Sequence, residues 1–276
     1  MTLILTCLTH EQIVQVSDRR LTTRAGKPVD DAANKAIFYA PAGAFSYTGI
    51  ARIGSKKTHE WIADQLTIGA RARQPIGDVL NRLQAALNNT VPQLRGYNGL
   101  AVVGCLWATR QPGVTSDSPY YYLISNIHEL GQPLAQPRNR FTAYYRWLTL
   151  PQPFLLKADG QNVPEQQLKG VMRNIMRSID NSVRRGGPIS GESIGLLMVK
   201  AIREVAVVNQ RVGRDIMEIL LPNRQVPALR TAPSTFAYFH GSSNERVTYM
   251  PAMVSEEMTM TDGWIRPGDH THLWHK

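Results

Sequence analysis

The sequence predicts an α+β fold: a four-layer αββα sandwich, two mainly antiparallel sheets face to face between two pairs of helices. Three observations lead there. The segments come in blocks (strands, two helices, strands, two helices, strands), whereas a doubly wound parallel sheet needs a helix after each strand. The opening strand, residues 2–9, has apolar groups on both alternating sides, Leu3, Leu5 and Cys7 on one and Ile4 and Leu8 on the other. Both faces therefore need cover. The 276 residues are 43% hydrophobic, enough for one large core, and no repeat, linker or low-complexity run divides them. Residues 1–276 read as a single domain, with about 225–276 as a C-terminal extension of further strands and a polar tail.

The elements follow in order. His10-Glu11-Gln12 turns the first strand into a second around Ile13, Val14 and Val16, which ends at Ser17-Asp18-Arg19-Arg20, so the two form a hairpin. Residues 22–34, with Gly26 and Pro28, are a loop. Lys35–Tyr39 and Ala44–Thr48 are strands three and four, joined by Pro41-Ala42-Gly43. Thr58 is placed to cap a helix carrying Trp61, Ile62 and Leu66 on one face. Ile76, Val79, Leu80, Leu83, Leu87, Val91 and Leu94 keep the helical period over a second. Strands return at Leu100–Thr109 and Tyr120–Asn126. Residues 128–160 give no clear pattern. Leu168, Val171, Met172, Ile175, Ile179 and Val183 stripe a third helix, stopped by Gly186-Gly187-Pro188. Ser193–Val208 is apolar almost all round and predicts a helix sandwiched between layers. Strands close the chain at Asp215–Leu221, Thr235–Phe239 and Arg246–Met250.

Composition narrows the function. No apolar run spans a bilayer, and the N-terminus lacks the basic and cleavage regions of a signal peptide. Cys7 and Cys105, the two cysteines, lie in strand-like stretches and suggest a reducing compartment, so the expected location is cytoplasmic. The net charge of +10 comes from scattered residues, with no nucleic-acid motif beside it, and is read as a basic surface. His270-X-His272-X-X-His275 lacks cysteine or carboxylate ligands at metal spacing and is read as tail. His240-Gly241-Ser242-Ser243 is not a nucleophile elbow. Tyr144-Tyr145-Arg146-Trp147 with Arg138 and Arg140 has the makings of a base-stacking surface, but reads first as packing or a subunit contact. Neither a metal nor a cofactor is expected.

The candidate chemistry lies in the first fifty residues. Thr2 stands at the head of the first strand. With Met1 removed it carries a hydroxyl nucleophile and, on the same residue, an α-amine that titrates near pH 8 and serves as a base. Such a nucleophile needs a nearby positive charge and oxyanion donors. Lys35 supplies the charge, Asp18 is placed to orient it, and Gly49 lets its backbone N–H approach a ligand closely.

Thr2, Ser17-Asp18-Arg19-Arg20, Asn34-Lys35 and Tyr47-Thr48-Gly49 before a helix resemble the proteasome β-subunit family, including its bacterial simple-proteasome relatives. These are N-terminal-nucleophile hydrolases of the αββα fold. The family pattern is an N-terminal Thr, Asp-X-Arg ending strand two, Lys opening strand three and a glycine turn before the first long helix. The resemblance implies that Thr2 is the nucleophile, that Lys35 lowers the pKa of the nucleophile–amine pair, that Asp18 holds Lys35, and that the Gly49 N–H forms the oxyanion hole. Arg20 matches the arginine of the pattern. In Val212-Gly213-Arg214-Asp215 it sets Asp215 beside the Thr2 amine, and it assigns Leu21 and Tyr47 to the substrate pocket. Where the family has a serine after its Arg-Asp pair, this chain has Glu218, and residues 128–165 offer no counterpart of the family's Ser-Gly-rich segment before helix three. The implied function is a threonine-type peptidase acting on peptide or protein substrates, in a homo-oligomeric ring, with Thr2 exposed by removal of Met1. The alternative is a catalytically inactive proteasome-like scaffold or partner-binding protein.

Overall fold

The computed structural model describes residues 2–23, 25–40, 43–94, 99–109, 117–160, 163–184, 190–223, 236–241, 246–257, 259–260 and 264–266. The first block is β1 (Leu3–Thr9), β2 (Gln12–Asp18), β3 (Leu21–Thr22), β4 (Pro28–Asp30), β5 (Ala36–Tyr39), β6 (Gly43–Gly49), β7 (Arg52–Ile53) and β8 (Lys56–Lys57). Helices α1 (Thr58–Arg71) and α2 (Ile76–Thr90) follow, the second tightening into a 3-10 turn over Val91–Gln93. Next come β9 (Leu100–Thr109), β10 (Asp117–Ser125), β11 (His128–Glu129), β12 (Gln132–Pro133), β13 (Thr142–Trp147) and β14 (Phe154–Gly160). After α3 (Glu165–Arg184) and α4 (Gly191–Val208) the chain ends in β15 (Ile216–Pro222), β16 (Phe236–His240), β17 (Arg246–Met250), β18 (Ala252–Val254), β19 (Thr259–Met260) and β20 (Trp264–Arg266). The chain is mixed α+β.

Among the described residues two sheets have seven strands each. One runs β14-β1-β2-β15-β16-β17-β20, the other β13-β10-β9-β6-β5-β18-β19. The β1–β2 hairpin forms as its turn predicts, with Ile4 opposite Ser17. Within both sheets the pairing is antiparallel except for β18, which lies parallel to β5. The stretch after Pro251, which looks like polar tail in sequence, thus supplies strands to both sheets, and Ala252 and Val254 are wholly buried.

Period-two alternation divides the apolar residues into three clusters. Leu3, Leu5, Val14 and Val16 pack with Ile175 and Ile179 of α3 and Ile202 and Val205 of α4. Ile37, Phe45 and Val102 pack with Ile62 and Leu66 of α1 and Leu83 and Leu87 of α2. Ile4, Leu8, Met217 and Ile219 of one sheet meet Phe38, Ala44, Val103 and Leu123 of the other. Each such side chain, fully buried, contributes about 1.5–3 kcal/mol relative to exposure.

Three local expectations change. Thr58 is the first residue of α1, not its cap. Lys57 holds the N-cap place, its N–H donating to Glu60 at 2.8 Å, while the Thr58 hydroxyl donates to the Ile50 carbonyl. α4 begins at Gly191 rather than Ser193, with Ser190 capping it by accepting from the Ser193 N–H at 3.1 Å. And α4 is not sandwiched among the described residues: it packs on β1, β2, β15 and α3, and Leu196, Val207 and Val208 are exposed. In residues 128–160, the tyrosine-rich segment is β13, the end strand of its sheet. Its rings pack across β10, Tyr145 stacking on Tyr122 at 6.5 Å and Trp147 lying 4.5 Å from Tyr120. Aromatic cross-strand packing accounts for that motif.

Candidate active site

Thr2 directly precedes β1 and shares the parity of Ile4 and Leu8, the residues that face the opposing sheet. On β6 the same alternation turns Ala44, Ser46 and Thr48 toward the opposing sheet, Thr48 reaching Thr2, while Phe45 and Tyr47 point to α1 and α2. The Thr48 hydroxyl accepts from the Thr2 N–H at 3.2 Å and donates to the Thr2 carbonyl at 3.1 Å. One side chain thus fixes both backbone groups of Thr2, whose exposure is 1%. Behind it, Ser46 donates to the Gln15 amide at 2.8 Å, so a polar seam runs between the sheets.

Lys35 and Asp18 are both wholly buried, and the Lys35 Nζ lies 3.1 Å from Asp18 Oδ1. Nζ also donates to the Arg20 carbonyl, and Asp18 Oδ2 accepts from the Gly213 N–H at 3.3 Å. Burial holds the Lys35 ammonium below the usual lysine range and the Asp18 carboxyl above the usual carboxylate range, while each charge pulls the other back. Register places this pair near Thr2. Lys35 immediately precedes Ala36, which pairs with Ser46, two residues before Thr48. Asp18 immediately follows Ser17, which pairs with Ile4, two residues after Thr2. Thr2, Asp18, Lys35 and Thr48 therefore share one end of the facing sheets.

Gly49 ends β6 with φ +118°, and a Cβ there would lie 2.2 Å from the Gly99 carbonyl oxygen, so only glycine fits. Its peptide directly follows Thr48. Tyr47 is not gathered with these groups: it is buried in the cluster beneath α1 and α2, and Thr48 takes the facing position. Leu21 is half-buried in the β3–β4 ribbon beyond β2, opposite Asp30. Asp215 lies just before β15, with its carbonyl accepting from the Arg19 N–H at 3.0 Å. The Arg20 guanidinium is held above its ordinary value first by its hydrogen bonds to Asp31, with the charges of Asp18 and Asp215 adding to them. Glu218 faces the other way. Ile216, Glu218 and Leu220 turn to the helices while Met217 and Ile219 turn to the opposing sheet, so Glu218 meets His240 Nε2 at 2.5 Å beneath α4. It does not take a serine's place beside Thr2.

A residue that the sequence does not flag joins the site. Asp159, near the end of β14, pairs with Ile4 and is 5% exposed. Its Oδ1 accepts from the Tyr121 hydroxyl at 2.7 Å. Burial raises its carboxyl to about 6, against the pull of the Tyr121 hydrogen bond and the Lys157 charge. A cleft of about 620 Å³ between β14 and α3 is lined in part by Asp159 and Tyr121. The signal in the sequence is Asp159-Gly160 shortly before a helix.

Cys7 and Cys105 are separate buried thiols, Cys7 pushed up to about 12 by burial. Among the described residues no group of three or more His, Cys, Asp or Glu side chains is arranged to hold a metal, and no helix is long and apolar enough to cross a membrane. Met1, Ser242, Ser243 and the histidines at 270, 272 and 275 lie outside the described residues. No protein-family model matches the chain, and no curated protein matches it.

Proposed function

We propose that the chain is an N-terminal threonine amidohydrolase, a proteasome-like peptidase whose helices and facing sheets form the four-layer αββα arrangement of N-terminal-nucleophile hydrolases. The observation that carries this reading is the enclosed Lys35–Asp18 pair at the same end of the sheets as Thr2 and Thr48. A buried ion pair gains little stability over apolar residues of the same size, so its presence beside a hydroxyl favours a chemical role.

With Met1 removed, the Thr2 α-amine takes the hydroxyl proton and Oγ1 attacks the amide carbonyl carbon. The Gly49 N–H receives the oxyanion, and the positive charge of Lys35 favours the alkoxide. The amine then returns the proton to the leaving nitrogen, and water hydrolyses the resulting ester. Asp18, with its two oxygens bonded to Lys35 and Gly213, holds the lysine without touching substrate. Assembly into a homo-oligomeric ring belongs to the same reading.

Mass spectrometry of the purified protein tests it. Loss of Met1 is expected, followed by addition of one peptide β-lactone equivalent at Thr2 and none on the Thr2→Ala protein. A retained Met1, or equal labelling of Thr2→Ala, ends the peptidase reading and leaves a non-catalytic scaffold.

A further inference from the structure

Asp159 lies on the strand beside Thr2, with one carboxyl oxygen bonded and the other not. Ile4 pairs with Asp159 and Leu3 with Gly160, so Asp159 shares the inter-sheet face with Ile4, and Thr2 is its diagonal neighbour. Such neighbours have β-carbons within about 7–8 Å, inside the reach of side chains. A Cβ on Gly160 would stand 3.3 Å from the Thr2 carbonyl oxygen, so the end of β14 lies against Thr2. Asp159 Oδ1 is taken by Tyr121, whereas Oδ2 is buried and has no hydrogen-bond partner among the described residues. A buried carboxylate oxygen without a donor is destabilising, and such atoms are few in native proteins. This one calls for a donor.

We propose that the donor is the free α-amine of Thr2 and that Asp159 is a positioning residue: its Oδ2 accepts one amine hydrogen and holds the amine beside the Thr2 hydroxyl. The inference rests on the reading of Thr2 as an N-terminal nucleophile. The Thr48 hydroxyl already accepts one Thr2 N–H, and a free amine has a further hydrogen for Asp159. When the amine takes up the hydroxyl proton it becomes an ammonium, and an ionised Asp159 stabilises that charge. A protonated Asp159 does not. The titratable groups around it are Tyr121 from β10, Tyr144 from β13, and Lys157 on β14, whose ammonium lies over both rings; Glu165, Lys169, Arg173, Arg177 and Asp180 of α3 line the adjoining cleft. Of these, Lys157 and Tyr121 favour the ionised carboxylate.

The test uses full-length protein beginning at Thr2, released from a cleavable N-terminal fusion and labelled with 13C-threonine. The Thr2 Cα resonance reports the ionisation of its own amine across pH. In Asp159→Asn the amine pKa is expected to fall by about one unit, a tenfold change in proton affinity. An unchanged amine pKa in a folded Asp159→Asn protein overturns the inference. If that variant does not fold, Tyr121→Phe decides. Loss of the hydroxyl raises the Asp159 pKa, so the carboxyl inflection seen at Thr2 should move to higher pH; a Thr2 resonance blind to that titration overturns the inference. Acylation by a peptide β-lactone in the same samples separates the two readings. An amine shift without acylation keeps the contact and ends the peptidase reading. Acylation without an amine shift ends the role of Asp159 alone.

Discussion

Two clusters of buried charge lie on the sheet whose first strand follows Thr2. Lys35 and Asp18 lie at the end of the sheets near Thr2; Glu218, His240 and Arg246 lie beneath α4. In the first, both charged side chains are enclosed, Lys35 bonding Asp18 and the Arg20 carbonyl, and Asp18 bonding Lys35 and the Gly213 N–H. In the second, Glu218 is as deeply enclosed, yet its Oε1 has no hydrogen-bond partner among the described residues. Arg246 stays partly in solvent, bonded to Glu192 with its guanidinium 3.6 Å above the Tyr238 ring. Buried charge alone therefore does not mark a reaction centre. The cluster beneath α4 fastens β16 and β17 to β15 and α4. The Lys35–Asp18 pair stands at the end of the sheets where Thr2 leads into β1.

Breaking each cluster sharpens the contrast. The largest effect is expected from Lys35→Ala, which strands a buried Asp18. Removing one partner of such a pair costs about 3–5 kcal/mol, read as a fall in the denaturant midpoint at constant m-value. A fall under about 1 kcal/mol would mean that the pair is not held as described. Next comes pH. In the chain that keeps Met1, burial raises the Asp159 carboxyl from 3.8 to about 6, so the folded state binds that proton more tightly than the unfolded state. Ionisation then opposes folding: this contribution is most favourable below about pH 4 and is lost as pH rises to about 6, by up to about 3 kcal/mol. Asp159→Asn should flatten that part of the stability–pH curve relative to wild type, and parallel curves would contradict the assignment. The smallest effect belongs to the cluster under α4. A Cβ at Gly195 would lie 1.7 Å from Glu218 Oε1, so Gly195→Ala should destabilise by about 1–3 kcal/mol while leaving β-lactone labelling of Thr2 unchanged. Lost labelling in a folded Gly195→Ala protein would couple the two clusters.

How much the sequence reveals depends on which side of a strand is in question. The alternation of residues 2–9 and 13–18 exposes a doubly covered hairpin, and the order Thr2, Asp18, Lys35, Gly49 locates the site's end of the sheets. Alternation does not say which face is which. Tyr47 and Thr48 are adjacent, and only the three-dimensional register sends the hydroxyl to Thr2 and the ring to the helices. Glu218, one step from Met217 and Ile219, faces α4 by the same alternation. Asp159 escapes because a serine is sought before α3 and a carboxylate stands there. The strands after Pro251 are too short to show a period, and β18 is recognisable only by its burial against β5.

That parallel pairing has a consequence for the order in which the molecule is made. Ile37 lies beside Ala252, Leu3 beside Gly160, and the Asp18 carboxylate is completed by Gly213. Thr2, Asp18 and Lys35 are synthesised before the segments that wall them in. Contacts so distant in sequence form slowly, after long loops have closed. A nascent chain therefore carries Thr2, Asp18 and Lys35 without their enclosure until the segments that supply β14, Gly213 and β18 have been made and have paired.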